Sequence, residues 1–228
     1  MPGARDFWVF GYGSLMWRPG FAFEEAAHAR LVGWRRSFCI YSRHHRGSQA
    51  RPGLVLGLDR GGACEGMAYR VAAADAEATL RYLRDREQVA SVYREALVPV
   101  TLLTPGRPEV VALTFLVERA HPSYAGALAL TRQVQLIRGG CGRSGNNIDY
   151  LVNTLAHLAE LGIRERGLER LLGLVGAHLA RGEAAGHARP GAAALMQECR
   201  KRPVRVRRLR PEDLRRFGYR TVLGMRGE

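Results

Sequence analysis

Between residues 7 and 118 the chain holds six strand-like runs with very little room between most of them. The runs are 7–12 (FWVFGY), 31–41 (LVGWRRSFCIY), 54–59 (LVLGLD), 64–71 (CEGMAYRV), 93–103 (YREALVPVTLL) and 109–118 (EVVALTFLVE). They are rich in β-branched and aromatic residues, and turn formers stand between them: RPG at 51–53, DRGG at 59–62 and TPGRP at 104–108. A parallel connection needs a crossover long enough to return over the sheet, and most of these gaps are too short for one. The expectation is antiparallel pairing that closes on itself as a barrel.

One helix interrupts the strands, at 75–90 (DAEATLRYLRDREQVA), with Asp75 as its N-cap. After about residue 122 the pattern turns helical. GALALTRQVQLIRGG stops at paired glycines, SGNNIDYLVNTLAHLAELG runs to Gly162, and RERGLERLLGLVGAHLARG ends near Gly182. A strand-rich first half followed by a helical second half is an α+β fold. Residues 183–195, rich in Gly and Ala, read as a linker. The expected organisation is one domain over 1–182, then a linker and basic extension over 183–228.

Composition narrows the function classes. Hydrophobic residues make up 46% of the chain, enough for a core, yet no apolar run approaches the roughly 20 residues of a bilayer span. The N-terminus lacks the basic-then-apolar order of a secretory signal. Cys39, Cys64, Cys141 and Cys199 form no CxxC pair and no disulfide framework, which fits a reducing cytoplasm and argues against zinc. The net charge of +14 invites a nucleic-acid reading, but among 35 basic residues only Lys201 is a lysine, a ratio that suggests coding bias. Residues 200–228 carry 11 basic and 3 acidic side chains, so much of the excess sits in the tail. A solvated terminal face is the plainer interpretation of that run, with an electrostatic grip on RNA or an anionic membrane as the competing one. No specific nucleic-acid site is expected, and the sequence leaves the oligomeric state open.

The helix at 75–90 has one odd feature. At 100° per residue Ala76, Thr79, Leu80, Leu83, Glu87 and Ala90 share a face, which puts a carboxylate in the middle of an apolar stripe. Desolvation raises a carboxyl pKa, and a carboxyl poised near neutrality can both accept and donate a proton. An inward glutamate can equally be a structural partner for an arginine. At the other end of the chain, FWVFGYGSLMWRPG (7–20) ends a hydrophobic strand in a glycine-bearing loop able to turn successive backbone amides toward an anion or oxyanion, with positive φ at glycine making the bend. The loop is neither a dinucleotide fingerprint nor a P-loop nor a nucleophile elbow, since Met16 stands where the first needs glycine, Lys201 is remote, and Tyr12 and Met16 flank Ser14. Adjacent His44 and His45, read as strand residues, point to opposite faces and make no metal pair. Asn146, Asn147 and Asp149 read as helix caps.

Taken in order, these segments resemble the ChaC-like γ-glutamylcyclotransferases, which act on glutathione. VFGYGSLMWRP, RRSFCIYSRHHRG, RPGLVLGL, GMAYRV, YLRDREQVASVYRE, HPSYAG and SGNNIDYL are each similar to a family segment, across roughly residues 7–160. The resemblance implies a γ-glutamylcyclotransferase-like mixed or antiparallel β-barrel with surrounding helices. It also implies cleavage of glutathione to 5-oxoproline and cysteinylglycine with no metal and no cofactor. By the same resemblance the catalytic glutamate is Glu87, and Val9, Phe10, Gly11, Tyr12, Gly13 and Ser14 line the γ-glutamyl pocket. Arg46 is the candidate for a substrate carboxylate, with Arg36 behind it, and Tyr124 offers a hydroxyl or a packing surface. Phe115 departs from the tyrosine of relatives, which bears on substrate choice: another γ-glutamyl amide is the nearest alternative, and a basic regulatory or binding module for RNA, an anionic membrane or a transporter a more distant one.

Overall fold

The computed structural model describes residues 5–87 and 92–184. Its strands are β1 (Phe7–Gly11), β2 (Glu25–Ser42), β3 (Gly53–Val71), β4 (Tyr93–Leu102), β5 (Glu109–Val117) and the two-residue β6 (Cys141–Gly142) and β7 (Gly145–Asn146). The helices are α1 (Ala76–Glu87), α2 (Leu130–Gly139), α3 (Asn147–Glu160) and α4 (Arg166–Ala184). Short 3-10 turns occupy Ser14–Met16 and Ala73–Asp75.

β1 to β5 close into a barrel in the order β1-β3-β2-β4-β5. β1 is antiparallel to β3, with Phe7 opposite Val71 and Gly11 opposite Met67, and parallel to β5 at Trp8 and Val9. β4 and β5 form the long antiparallel ladder, from Tyr93 opposite Val117 to Thr101 opposite Glu109. The barrel expected from the short gaps is present, but its closure is mixed. A strand with neighbours on both edges and cover on both faces needs an apolar sequence without strict alternation, which is what FWVFG supplies.

One expected break is absent. The runs 54–59 and 64–71 belong to one continuous strand, β3, and the DRGG segment lies inside it. Gly61 and Gly62 adopt φ of +97° and +72°, so the glycine pair bends the strand without ending it. Asp59, 1% exposed, holds the bend: its carboxylate accepts from Arg35 Nη2 at 3.1 Å and from the Arg60 amide. β2 likewise begins six residues earlier than 31–41 suggests.

Within the described residues the chain divides into two compact units, residues 5–36 with 58–118, and residues 37–57 with 119–184. The first unit has a core of Val9, Leu15, Val71, Leu83, Leu113 and Phe115, against which Phe7, Phe21, Leu80, Tyr82 and Tyr93 pack. In the second, α2, α3 and α4 pack on one another, burying Ile137, Leu151, Leu158, Leu171 and Val175. The expected helix ends agree to within a few residues, and α4 continues through 183–184, where a linker was expected. Residues 88–90 of the first expected helix, and Cys199 with the linker and tail from 185 onward, lie outside the described residues. No helix among the described residues is long and apolar enough to cross a membrane.

Candidate active site

The glycine loop and α1 meet in the first unit. β1 delivers Val9, Phe10 and Gly11 as fully buried residues, and the Phe10 carbonyl accepts from Thr114 Oγ1 at 2.9 Å. The chain then leaves the sheet through Tyr12 and Gly13 into the 3-10 turn Ser14–Met16, where the Met16 amide donates to Gly13 O at 2.9 Å. In such a turn the opening amides, those of Ser14 and Leu15, have no acceptor within the turn itself, so they are the donors this loop can offer an anion. The loop does not bend by positive φ: Gly13 has φ −130°, and neither it nor Gly11 is left-handed. Glycine is required at 11 for a different reason, because a Cβ there stands 2.9 Å from Leu15 Cβ and 3.3 Å from the Met16 nitrogen. The turn folds back directly over the strand, and only a bare Cα leaves it room.

α1 presents the stripe read from the sequence. Thr79 and Leu83 are buried, and Leu83 lies in the same core cluster as Val9 and Leu15. One turn later Glu87, the last residue of the helix, is only 17% exposed. Burial raises its carboxyl above the ordinary carboxylate range, and the adjacent Arg86 charge opposes part of that rise. Glu87 Oε1 is 3.5 Å from Arg86 Nε, close enough for attraction but at the limit of a hydrogen bond.

Two arginines hold the loop. Arg36, 5% exposed, sends Nε to Tyr12 O and Nη2 to Glu65 O and Met16 Sδ, so its charge is engaged on the protein's own acceptors. Arg86 grips the far end: Nη1 donates to Arg18 O at 2.7 Å, Pro19 O at 3.3 Å and Tyr82 Oη at 2.7 Å, while Nη2 donates to Ser14 Oγ at 2.8 Å. Its guanidinium also lies over the Tyr82 ring, 5.8 Å from the centroid.

The second unit holds the other candidates. Arg46 Nη1 donates to Ser144 O and Asn146 O, and its guanidinium sits over the Tyr150 ring at 5.1 Å. Among the described residues its Nε and Nη2 take no hydrogen bond, which leaves one edge of the fork for a carboxylate. Tyr124 pairs with Ile40 as an isolated bridge, and its hydroxyl accepts from Arg119 Nε at 2.9 Å. His44 and His45 stand in the bend after β2 instead of in a strand, with ring centroids 6.3 Å apart. No grouping of metal-ligating side chains occurs among the described residues. Asn147 is no cap: fully buried, it accepts from Leu54 N at 2.6 Å and donates to Leu54 O at 2.7 Å. Asn146 occupies the N-cap position of α3 without a side-chain capping bond.

Residues 7–178 match the family model described as ChaC-like protein. The chain belongs to the ChaC-like family. It is 36% identical over 190 residues to the glutathione-specific γ-glutamylcyclotransferase of Escherichia coli, covering 83% of this chain and 81% of that one. It is 33% identical to the glutathione-specific γ-glutamylcyclotransferase 1 of Mus musculus over 74% of this chain and 78% of the relative. The crystal structure of a γ-glutamyl cyclotransferase specific to glutathione from yeast shares the fold at TM-score 0.67 and 23% identity, covering 76% of this chain and 99% of that one.

In this ChaC-like chain the six loop residues and Glu87 fall in one unit, and Arg46 belongs to the other. Arg86 and Tyr82 were not anticipated. Their i, i+4 spacing on α1 is a legible sign of contact, but they flank the apolar stripe and their partners at Ser14 to Pro19 are distant in sequence.

Proposed function

We propose that the protein is a γ-glutamylcyclotransferase that cleaves glutathione, releasing 5-oxoproline and cysteinylglycine. The observation that carries this reading is Glu87, a carboxyl screened from water at the end of α1, in the same unit as the 3-10 turn Ser14–Met16 that ends β1. The names of the relatives supply the substrate class.

The chemistry asks little of the protein beyond position and proton traffic. The substrate's own α-amine attacks its γ-carbonyl carbon, forming the lactam C–N bond while the γ-glutamyl–cysteine C–N bond breaks. No external nucleophile and no water enters. Enforced proximity of amine and carbonyl supplies effective molarities on the order of 10⁵ M or more. Glu87, as carboxylate, takes a proton from the α-ammonium so that the nitrogen lone pair becomes available. As carboxylic acid, it returns that proton to the departing cysteinyl nitrogen, and the second proton shed by the lactam nitrogen ends on the released amine, which leaves as an ammonium. A group whose burial raises its pKa is suited to both halves, since its acid form is easier to reach than that of a hydrated glutamate.

Val9 to Ser14 are assigned to the γ-glutamyl pocket, with the Ser14 and Leu15 amides as donors to its carboxylate or to the oxyanion. Arg46 keeps its assignment to a substrate carboxylate through the open edge of its guanidinium. Cys39, Cys64 and Cys141 form no disulfide among the described residues, which suits a reducing cytoplasm. The test is incubation of the full chain with glutathione in the presence of a chelator, read by mass spectrometry. The expected result is equimolar 5-oxoproline and cysteinylglycine, and intact glutathione overturns the proposal.

A further inference from the structure

Arg86 makes more polar contacts than any motif explains, and most of them go to the segment Ser14–Pro19. Its two terminal nitrogens reach four acceptors: the Arg18 and Pro19 carbonyls, the Tyr82 hydroxyl and the Ser14 hydroxyl. Two of these are backbone groups of the segment that follows the 3-10 turn, one is a side chain within the turn, and one lies a helical turn earlier on α1. The side chain is 19% exposed: its bonds to Pro19 O and Tyr82 Oη are partly buried, and those to Arg18 O and Ser14 Oγ reach the surface. Between neutral partners a hydrogen bond contributes modestly, but a charged, forked donor shared over four fixed acceptors strongly restricts where each can be.

The neighbouring contacts reinforce this reading. At Gly20 a side chain has no room, because a Cβ there falls 2.1 Å from Tyr82 Oη. Phe21 packs edge-on against Tyr82, with centroids 6.4 Å apart. The stretch Ser14 to Phe21 is thus seated on the Tyr82–Arg86 face of α1. Glu87 is the next residue along the same backbone, and its position relative to the loop is inherited from that seat.

We propose that Arg86 is the positioning residue of this site: by fastening the loop Ser14–Pro19 to the end of α1, it holds the γ-glutamyl-binding amides in register with Glu87. The inference rests on the reading of the site as a γ-glutamylcyclotransferase centre, and it adds a specific role that the reaction itself does not require. Apart from the 3.5 Å approach of its Nε to Glu87 Oε1, Arg86 touches no group that takes part in the reaction. It acts through Ser14 and through the placement of Glu87, and lysine cannot replace it fully because one ammonium cannot span acceptors divided between two guanidinium nitrogens.

The test uses the full chain as wild type, Arg86→Gln and Arg86→Lys, with two readouts. The first is hydrogen–deuterium exchange of peptides covering 14–20. Exchange there is expected to accelerate in Arg86→Gln and to be partly restored in Arg86→Lys, with β1 and β3 peptides unchanged. The second is steady-state kinetics with glutathione, corrected for folded fraction. KM is expected to rise about tenfold and kcat/KM to fall about 100-fold in Arg86→Gln, with Lys intermediate, the scale expected when a catalytic geometry slips by about 1 Å. A merely structural arginine predicts a lower folded fraction with KM unchanged, and that result overturns the proposal. So does unaltered exchange at 14–20 in a folded variant. If wild type releases no 5-oxoproline while the loop still loosens in Arg86→Gln, the functional reading falls and the fastening of the loop stands.

Discussion

The loop at 12–19 and the seam around Asn147 solve a similar problem by opposite means. Each must hold a non-repetitive stretch of backbone close to a strand end. At the loop the chain relies on charge: Arg36 and Arg86 donate into carbonyls and hydroxyls, and a largely buried carboxyl stands beside one of them. At the seam the chain relies on shape and on one neutral amide. Asn147 clasps both backbone groups of Leu54, standing in for a missing strand neighbour. Gly53 and Gly140 are bare because a Cβ at 53 falls 2.1 Å from Arg46 O and one at 140 falls 2.5 Å from the same oxygen. A seam of this kind tolerates no adjustment, whereas arginine forks allow a loop to be seated firmly while its amides stay available. The expected consequence is a division of labour: changes at the loop read out in turnover, changes at the seam in stability.

The sharpest way to break that division is Glu87→Gln. The amide keeps the shape and loses the titratable proton, so kcat is expected to fall about 10³-fold, within the range for loss of a general acid–base group. Stability is expected to move the other way. Because burial raises the Glu87 pKa in the folded state, the glutamate favours folding while protonated and loses that contribution as pH rises through the folded value. Removing the charge therefore raises Tm at neutral pH, and the gain vanishes near pH 4, where both folded and unfolded glutamate are protonated. A thermal melt series in pH checks the sign. A Gln variant of unchanged kcat defeats the mechanism outright.

Next in size is Asn147→Ala, the matching change at the seam. It leaves the Leu54 amide and carbonyl buried without partners, at an expected cost of about 3 kcal/mol. Denaturant unfolding measures this, and kcat per folded molecule is expected to stay at the wild-type value. If turnover per folded molecule drops as far as in Glu87→Gln, the division drawn above is wrong.

The same raised pKa sets the expected pH–rate profile. The first step needs the carboxylate, so kcat/KM is expected to decline as pH falls, with its acid limb above the ordinary value of 4.5 for a free glutamate. An acid limb at or below that value indicates a well-hydrated base and removes the reason for choosing Glu87.

What was legible in the sequence follows the range of the forces involved. The inward face of 75–87 was readable because a helix repeats every 100° whatever it packs on, and Leu80, Leu83 and Glu87 fell on it. The barrel was readable from gaps too short for crossovers, but the parallel contact of β1 with β5 was not, since it joins segments about a hundred residues apart. DRGG misled because consecutive glycines permit a bend as readily as a turn, and only the ladder on either side decides. The need for glycine at 11 is legible but its cause is not: the need is clearance from Leu15, which depends on the fold, and not a left-handed φ. Asn147 misled in the same way, because an Asn at the start of a helix is a cap by local rules and a strand mimic only once Leu54 is beside it. The role of Arg86 is not legible locally because its partner Ser14 is 72 positions away.

The smallest effect expected is also the one that isolates burial as the cause. Glu95 on β4 receives Arg84 Nε at 2.7 Å and Nη2 at 3.0 Å from α1, and that hydrogen-bonded pairing lowers its pKa. Here the charged form is the favoured one, so its contribution to stability is present above the unfolded pKa and lost as pH falls through the folded value. Arg84 is half exposed, and an ion pair open to solvent on one side contributes little once salt screens it. Glu95→Gln is expected to lower Tm slightly at neutral pH, far less than Asn147→Ala, with the loss shrinking in acid and in high salt and with kcat unchanged. Two glutamates flanking one helix end thus respond to the same substitution with opposite signs, Glu87 gaining stability and Glu95 losing it. If both variants shift Tm in the same direction across pH, solvent exclusion at Glu87 is not what distinguishes it. The proton-carrying role then needs another physical basis.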